Sequence, residues 1–355
     1  MSTFEHEQVL IRTGRRSGLP VIVAVHSSTL GRAVGGCRLR HYDDWRDGLT
    51  DALRLSAGMT AKCAAAGLDN GGGKTVVAMP GGLALTPALR RDVLHDVADT
   101  VAFLNGRYAT GPDVGTTPDD MTVIGERTGH VLGRPVDQGG SGDSSVPTAA
   151  GTLAALRAVG GHLYGTPDLK GRRVAVVGVG SVGEKLARML AAEGAVLVLG
   201  DIDPAKRALS TELGAAWEEP EQALTADVDL LVPAALGGVL TERIVPRLRC
   251  AAVAGPANNQ LATPAVADLL HDHGVIWVPD YIVGAGGVAY AVTVELRRGT
   301  AEDGLARVQA IENTVTDLLT TARTTGTTLA EAASELIELR LRSAAPAPAK
   351  ESRSG

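Results

Sequence analysis

The sequence predicts an α/β protein of two domains, the second a parallel sheet with helices on both faces. Three observations carry that expectation. The chain has 355 residues, enough for two domains of ordinary size. Short apolar runs rich in β-branched residues alternate with helical stretches along most of its length. One such run, Val174 to Val177, leads into Gly178-Val179-Gly180-Ser181-Val182-Gly183, a glycine-spaced turn that opens a helix.

In chain order, Gln8 to Arg12 and Pro20 to His26 read as strands. Trp45 to Ala57 is amphipathic, with Leu49, Leu53, Ser56 and Ala57 on one helical face. Gly71-Gly72-Gly73 reads as a loop ending in Lys74, followed by a short strand, Thr75 to Met79. Pro87 to Leu104 is a helix: Val93, Val97, Val101 and Leu104 recur at helical spacing and Pro87 lies in the first turn. Arg107 to Ala109 is a short strand before a Gly/Pro loop that carries Asp113. The cluster Thr116 to Asp120 caps a helix reaching Glu126. Small polar residues from Asp137 to Ser145 mark a loop and hinge, and a helix follows from Pro147 to Val159. Strands at Val174 to Val177, Val196 to Leu199, Leu230 to Val232, Ala251 to Ala254 and Val275 to Val278 give the parallel sheet. Two or three helices fill Ala301 to Arg342. The domains are drawn at 1–140 and 145–324. Helices over about 325–343 are expected to pack back on the first domain, and 344–355, rich in Ala, Pro and Ser, to be a disordered tail.

Composition excludes several classes. A formal charge of −6 leaves no basic footprint for nucleic acid. No apolar run approaches the roughly 18 residues of a membrane span, and Met1 to Glu7 lacks the basic and apolar regions of a signal peptide. Cys37, Cys63 and Cys250 form no CxxC pair and make a poor disulfide framework, which fits a reducing, cytoplasmic setting. No metal is expected.

The turn carries the first functional signal. Gly178 would make the tight bend, Gly180 would let backbone approach a pyrophosphate, and Gly183 would let helix and strand pack closely. Ser181 and Val182 open the helix, whose N–H groups and positive dipole end favour phosphate. Asp201, twenty-three positions after Gly178, closes the next strand, where an acid bonds ribose hydroxyls and repels a 2′-phosphate. This is a Rossmann-type pattern that favours NAD over NADP; Arg207 weakens that preference and Asp203 restores it. FAD and S-adenosylmethionine sites share the logic of the turn.

The second signal is a pair of lysines twelve positions apart, in Gly58-Met59-Thr60-Ala61-Lys62 and Gly71-Gly72-Gly73-Lys74. Glycine beside Lys74 lets a small molecule lie against the main chain. Lowering one lysine from about 10.4 to between 7 and 8, by burial and a like-charged neighbour, costs about 4 kcal/mol. One lysine would then hold a carboxylate and the other serve as base. The bland alternative is two solvated surface lysines. Asp113 is a candidate loop carboxylate, or simply a turn aspartate capping the next helix. Asn258 and Asn259 end a strand, where paired carboxamides can hold a nicotinamide; a polar turn is the alternative.

With these residues in view, the chain resembles the Glu/Leu/Phe/Val amino acid dehydrogenases, above all the valine, leucine and phenylalanine enzymes. The carrying residues are Ala33-Val34-Gly35-Gly36, the two lysine motifs, Gly111-Pro112-Asp113-Val114-Gly115-Thr116 and Gly142-Asp143-Ser144-Ser145. Pro233-Ala234-Ala235-Leu236-Gly237-Gly238, Ala257-Asn258-Asn259-Gln260 and Pro279-Asp280-Tyr281 continue the match in order. The resemblance implies an N-terminal substrate and oligomerisation domain, a cleft, and a homo-oligomer such as a dimer or octamer. It implies NAD-dependent, reversible deamination of an L-amino acid to a 2-oxo acid and ammonia. Lys62 would pair with the substrate carboxylate, Lys74 would be the general base, and Asp113 would shuttle protons at the amino group. Gly36 would lie along the substrate, whose side chain would meet Val34, Gly111, Val288 and Ala291. Thr148 and Ala235 would touch the cofactor; Asn259 is assigned to the substrate and Asn258 to the cofactor, with the reverse left open. Gly284 stands where relatives have Asn, which removes a carboxamide expected near the cofactor; Ala234 and Cys37 also depart from the pattern. Branched-chain or aromatic substrates fit best. A non-proteinogenic amino acid substrate and a silent NAD-binding regulator are the alternatives.

Overall fold

The structure, a computed structural model, describes residues 4–344. Two sheets divide the chain. The first contains β1 (Gln8–Thr13), β2 (Pro20–Ser27), β3 (Ala33–Tyr42), β4 (Gly71–Pro80) and β5 (Tyr108–Pro112), in the order β1-β2-β4-β3-β5. Strand β2 runs antiparallel to β1 and β4, and β3 runs parallel to β4 and β5. The strand period of two sorts the side chains. Ile22, Ala24 and Val76 turn to α1 (Trp45–Ala65), where Leu49, Ala52 and Leu53 meet them. Val21, Val23, Val25 and Val77 turn to the opposite face. There α2 (Pro87–Phe103) and α3 (Pro118–Gly125) supply Val93, Leu94, Val97, Met121 and Ile124. Thr86 caps α2 through the Leu89 amide at 3.3 Å, and Thr117 with Asp120 forms a capping box on α3.

Three features differ from the sequence-based reading, with one cause. The glycine run is the start of strand β4 itself, and α1 continues past Gly58 to Ala65, so Lys62 sits on a helix. Strand β3 carries no strand signal, because Gly35, Gly36, Arg38, Arg40 and His41 break the apolar alternation. Close packing explains all three. A Cβ on Gly72 would fall 2.1 Å from the Thr60 amide nitrogen of α1, one on Gly73 2.6 Å from the Tyr108 ring, and one on Gly35 1.8 Å from the Gly73 carbonyl oxygen. The glycines are where a helix and two strands press against one another, and tertiary contact overrides local propensity.

The second sheet is wholly parallel. It contains β6 (Arg173–Val177), β7 (Val196–Gly200), β8 (Ala216–Trp217), β9 (Leu230–Pro233), β10 (Ala252–Val253) and β11 (Ile276–Trp277), in the order β11-β10-β9-β6-β7-β8. The two-residue strand β8 has too little sequence to signal itself. Strand order reverses about β6, as in a doubly wound dinucleotide fold, so a crevice opens where the connections leaving the paired strands β6 and β9 part. Helices α4 (Ser145–Tyr164) and α5 (Ser181–Ala192) cover one face, burying Leu153, Leu156, Leu186 and Leu190 against Val174, Val176 and Leu230. The short helices α6 (Arg207–Leu213), α7 (Pro220–Leu224) and α8 (Val266–Asp272) follow their strands.

Beyond β11 the chain forms α9 (Asp280–Val283) and α10 (Gly286–Ala291), then a π-helical turn (Val292–Leu296). It finishes with α11 (Ala301–Gln309), α12 (Ile311–Thr325) and α13 (Leu329–Ala344). Helix α13 packs on both α1 and α12, and Arg340 donates to the Ala64 carbonyl at the end of α1 at 2.8 Å. Ala344 is helical although it was expected to begin the tail; residues 345–355 lie outside the described residues. Glu295 Oε1 accepts from the amides of Gly133 at 2.7 Å and Ser141 at 2.8 Å, which ties the crossing segment between the sheets to the π-helical turn.

Gly72→Ala should destabilise the protein by about 3 kcal/mol or more, because the added methyl meets helix backbone that cannot repack. Thermal unfolding of variant and parent checks this; an unchanged midpoint would contradict it.

Candidate active site

A cleft of about 560 Å³ lies between the two sheets. Lys74, the fourth residue of β4, is 5% exposed, and its Nζ lies 2.8 Å from Asp113 Oδ2. Gly36 and Gly111 pair in register on β3 and β5. A Cβ on Gly36 would stand 2.6 Å from Asp113 Cβ and 3.2 Å from Lys74 Nζ, so its absence lets the ion pair form. The Asp113 amide donates to Thr116 Oγ1 at 2.9 Å, and that hydroxyl donates to the Cys37 carbonyl at 2.8 Å, which fixes the loop after β5.

Behind the pair lies a chain of charges. Arg38 Nε donates to Asp113 Oδ2 at 2.9 Å, and its other arm donates to Asp51 Oδ2 at 2.9 Å. Asp51 also accepts from Tyr42 Oη at 2.7 Å and Arg54 at 2.9 Å. Burial alone would raise the Asp113 carboxyl, but the Lys74 ammonium and Arg38 guanidinium outweigh it and hold the group well below the usual carboxylate range.

Lys62 faces the same cleft from the last turn of α1. Its Nζ donates to Asn258 Oδ1 and to the Gly284 carbonyl, each at 3.2 Å. Burial pushes its ammonium down from the ordinary range; Asp280 opposes this and Lys74 adds to it. The burial penalty therefore falls on Lys62, which among the described residues has no carboxylate in contact with its Nζ, whereas Lys74 pairs with Asp113. Asp280 accepts the Asn259 amide at 2.6 Å, and burial pushes its carboxyl up. Gly284 lines the cleft next to Lys62: a Cβ there would be 3.4 Å from Lys62 Nζ.

Val34, Gly111, Val288 and Ala291 line the apolar end of the cleft, and Gly36 and Asn259 line its polar part. Met59 and Leu132 join the apolar wall, and Arg38 and Asp51 stand buried behind the ion pair; none of these four was singled out from sequence. Met59, one turn before Lys62 in the same helix, had a usable signal, whereas Leu132 had none.

Thr148, Ser181, Val182 and Asn258 reach the cleft from the second domain, while Gly178, Gly180, Gly183, Asp201 and Ala235 lie beyond it along the end of the sheet. The glycine geometry fits a dinucleotide. Gly178 has φ of 103°, and a Cβ on it would meet Ala235 at 2.4 Å. One on Gly183 would meet the Gly178 carbonyl at 1.9 Å, whereas one on Gly180 would meet nothing within 4 Å, leaving backbone open to a ligand. Asp201 Oδ2 accepts the Val179 amide at 2.6 Å, which sets the acid beside the turn. The starts of α4 and α5 converge through a Ser145–Ser181 hydroxyl contact of 3.0 Å, directing two helix N-termini to one place.

Comparison with known proteins agrees with this geometry. A family model for the Glu/Leu/Phe/Val dehydrogenase dimerisation domain matches residues 4–130, and one for glutamate/leucine/phenylalanine/valine dehydrogenase matches residues 203–345. The phenylalanine dehydrogenase of Caldalkalibacillus thermarum is 40% identical over 95% of this chain and 91% of its own. The leucine dehydrogenase of Bacillus cereus is 38% identical over 97% of this chain and 93% of its own. The crystal structure of L-tryptophan dehydrogenase from Nostoc punctiforme is similar with a TM-score of 0.79 and 33% identity, covering 96% of this chain and 97% of that one. Sequence and architecture together place the chain in the Glu/Leu/Phe/Val family of amino acid dehydrogenases.

Proposed function

We propose that the protein catalyses the NAD-dependent, reversible oxidative deamination of a hydrophobic L-amino acid, branched-chain or aromatic, to the 2-oxo acid and ammonia. The observation that carries this reading is the Lys74–Asp113 pair, with Lys62 nearby, on a cleft whose far wall is the dinucleotide turn.

Lys62 receives the substrate carboxylate. Its ammonium is disfavoured by burial and held by two neutral oxygens, so an anion at that point supplies the missing partner. Asp113 meets the amino group. Lys74 is the general base that takes a proton from water as water attacks the imine carbon of the oxidised substrate. Gly178, Gly180, Gly183, Ser181, Val182, Thr148, Ala235 and Asn258 would hold the dinucleotide, and Asp201 would bind its ribose and disfavour a 2′-phosphate. A dinucleotide held there would supply a hydride acceptor for the substrate Cα.

Val34, Met59, Leu132, Val288 and Ala291 bring no charge to the side-chain end of the cleft, so a glutamate carboxylate would be buried unpaired there. Gly111, whose Cβ would stand 3.7 Å from Leu132 Cβ, keeps the space wide enough for aromatic side chains. The Gly284 site beside Lys62 favours a second reading, the same reaction on a non-proteinogenic amino acid. The match of residues 4–130 to a dimerisation domain supports a homo-oligomer, a dimer or octamer. Three free thiols, two of them buried, fit the cytoplasm.

Reduced dinucleotide should form with NAD and hydrophobic amino acids, and not with glutamate; best turnover on glutamate would overturn the reading. Lys74→Ala should lower kcat by at least about 100-fold with NAD affinity nearly unchanged, and wild-type turnover would remove Lys74 from its role. Asp201→Ala should weaken NAD by about 10- to 100-fold and relax discrimination against NADP, as titration with both dinucleotides will report.

A further inference from the structure

A second cavity, of about 450 Å³, lies against the β11 edge of the second sheet and shares no lining residue with the cleft. Part of its wall is apolar, built from Trp277 of β11, Leu319 of α12 and Leu329 of α13. The polar part carries three basic side chains, His162 of α4, His271 of α8 and Arg323 of α12. Among the described residues no carboxylate lines the cavity. Glu331, whose charge reaches His271, gives a carboxylate oxygen to the Thr328 amide at 2.8 Å. A histidine ring offers an N–H donor in either charge state, and a guanidinium is a permanent cation. The backbone adds a donor. The amides of Ile276 and Val278 go to the Ala251 and Val253 carbonyls at 3.1 and 2.9 Å, so strand alternation turns the Trp277 amide outward, to the edge along which the cavity lies.

Trp277 joins this cavity to the cleft. Its indole Nε1 donates to Gln260 Oε1 at 3.1 Å, and Gln260 Nε2 donates to the Gly255 carbonyl at 2.6 Å. Gln260 is fully buried and ends the loop that carries Asn258 and Asn259. That loop needs holding. Asn259 has φ of 55°, in the left-handed region, and its amide is fixed by Asp280 at 2.6 Å. Asn258 Oδ1 accepts from Lys62 Nζ at 3.2 Å on the other side of the cleft. One side chain, Gln260, therefore separates the wall of the second cavity from a loop that lines the first.

We propose that this cavity is a regulatory site for a small carboxylate with an apolar body, read by Trp277 and passed through Gln260 to the Asn258–Asn259 loop. The apolar body lies on Trp277, Leu319 and Leu329, and the carboxylate accepts from Arg323 and the histidines. A phosphate would leave the apolar wall uncovered and asks for more fixed charge than one guanidinium. The cavity is open while Trp277 holds Gln260, so a ligand there favours the loop position seen here, with Asn258 at the cleft. The effect on the cleft rests on the cofactor role proposed above for Asn258, whereas the binding does not.

The test is calorimetric titration of the full-length protein with 3-phenylpropionate. The cleft also takes this acid, at Lys62, so the parent should bind two equivalents and Lys62→Ala one. Adding Arg323→Glu to Lys62→Ala should weaken the remaining equivalent by about 10-fold or more, and inorganic phosphate should not displace it. Arg323 is exposed, so its substitution spares the core, and Arg323→Glu alone should keep the parental kcat. With the amino acid saturating, competition in the cleft is suppressed, and the acid should lower the KM for NAD about 5-fold in the parent and leave it unchanged in Arg323→Glu. Trp277→Phe keeps the apolar wall and removes the indole N–H; it should still bind the acid and lose the shift in KM. A single equivalent in the parent, or binding to Lys62→Ala that Arg323→Glu leaves unchanged, would overturn the site. A KM for NAD that holds or rises in the parent, or that still falls in Trp277→Phe, would overturn the coupling. A parent that binds the second equivalent yet reduces NAD with none of the amino acids would overturn the proposed function and leave the site standing. An active parent without that equivalent overturns this inference alone.

Discussion

A lysine and an aspartate meeting inside a protein must be held there against the cost of leaving water. The Lys74–Asp113 pair is held by what surrounds it. Removing a charged group from water costs several kcal/mol even after the protein relaxes, and one partner repays that only when geometry and further hydrogen bonds are good. Here the charges alternate inward to outward, from Lys74 to Asp113, Arg38, Asp51 and finally Arg54, whose side chain is 54% exposed. The line starts at buried Lys74 and ends at Arg54, half exposed on the rim of the same cleft. Each anion lies between two cations, and Tyr42 adds a neutral donor where Asp51 needs one.

The backbone makes this line possible through close approach rather than side-chain volume. Glycines at 35, 36, 72 and 73 remove the methyl groups that would keep β3, β4, α1 and β5 apart. Strand β4 then delivers Lys74, β3 delivers Arg38, the loop after β5 delivers Asp113, and α1 delivers Asp51 at its start and Lys62 at its end. The second sheet uses glycine for the same purpose at Gly178 and Gly183, and for a different one at Gly180, where the space beyond the backbone is open. The charged side chains Lys62, Lys74 and Asp113 come from the first domain, Thr148, Ser181, Val182 and Asn258 from the second, and the cleft is where the glycine-built surfaces face one another.

Much of this was legible in the sequence, for local reasons. The apolar strands of the second sheet, the capped helices at Pro87 and Thr117 and the spacing of Gly178, Gly180 and Gly183 are periodic or stereochemical signals that short windows contain. Strand β3 was not legible, because its pairing with β4 and β5 makes it a strand while its glycines and arginines disguise it. The same holds for the glycine run, which looks like a loop until α1 and Tyr108 are seen against it. Lys62 and Lys74 were visible as a pair, but their different burdens were not. Only packing shows that Lys74 pairs with Asp113 while burial disfavours the Lys62 ammonium. Arg38 and Asp51 were invisible for a related reason: an arginine in a strand and an aspartate in a helix become a relay only through contacts thirteen and seventy-five residues apart. Gly284 was visible only as a departure from a pattern, and its contact with Lys62 appears only in the packing.

The most direct test of the account is a crystal structure of the ternary complex with NADH and an aromatic or branched-chain 2-oxo acid. The carboxylate should sit on Lys62, the carbonyl carbon between Lys74 and the nicotinamide, and the side chain against Val34, Leu132 and Val288, with Arg38 and Lys74 still on Oδ2 of Asp113. An acid bound outside the cleft, or Asp113 turned away from both cations, would contradict it.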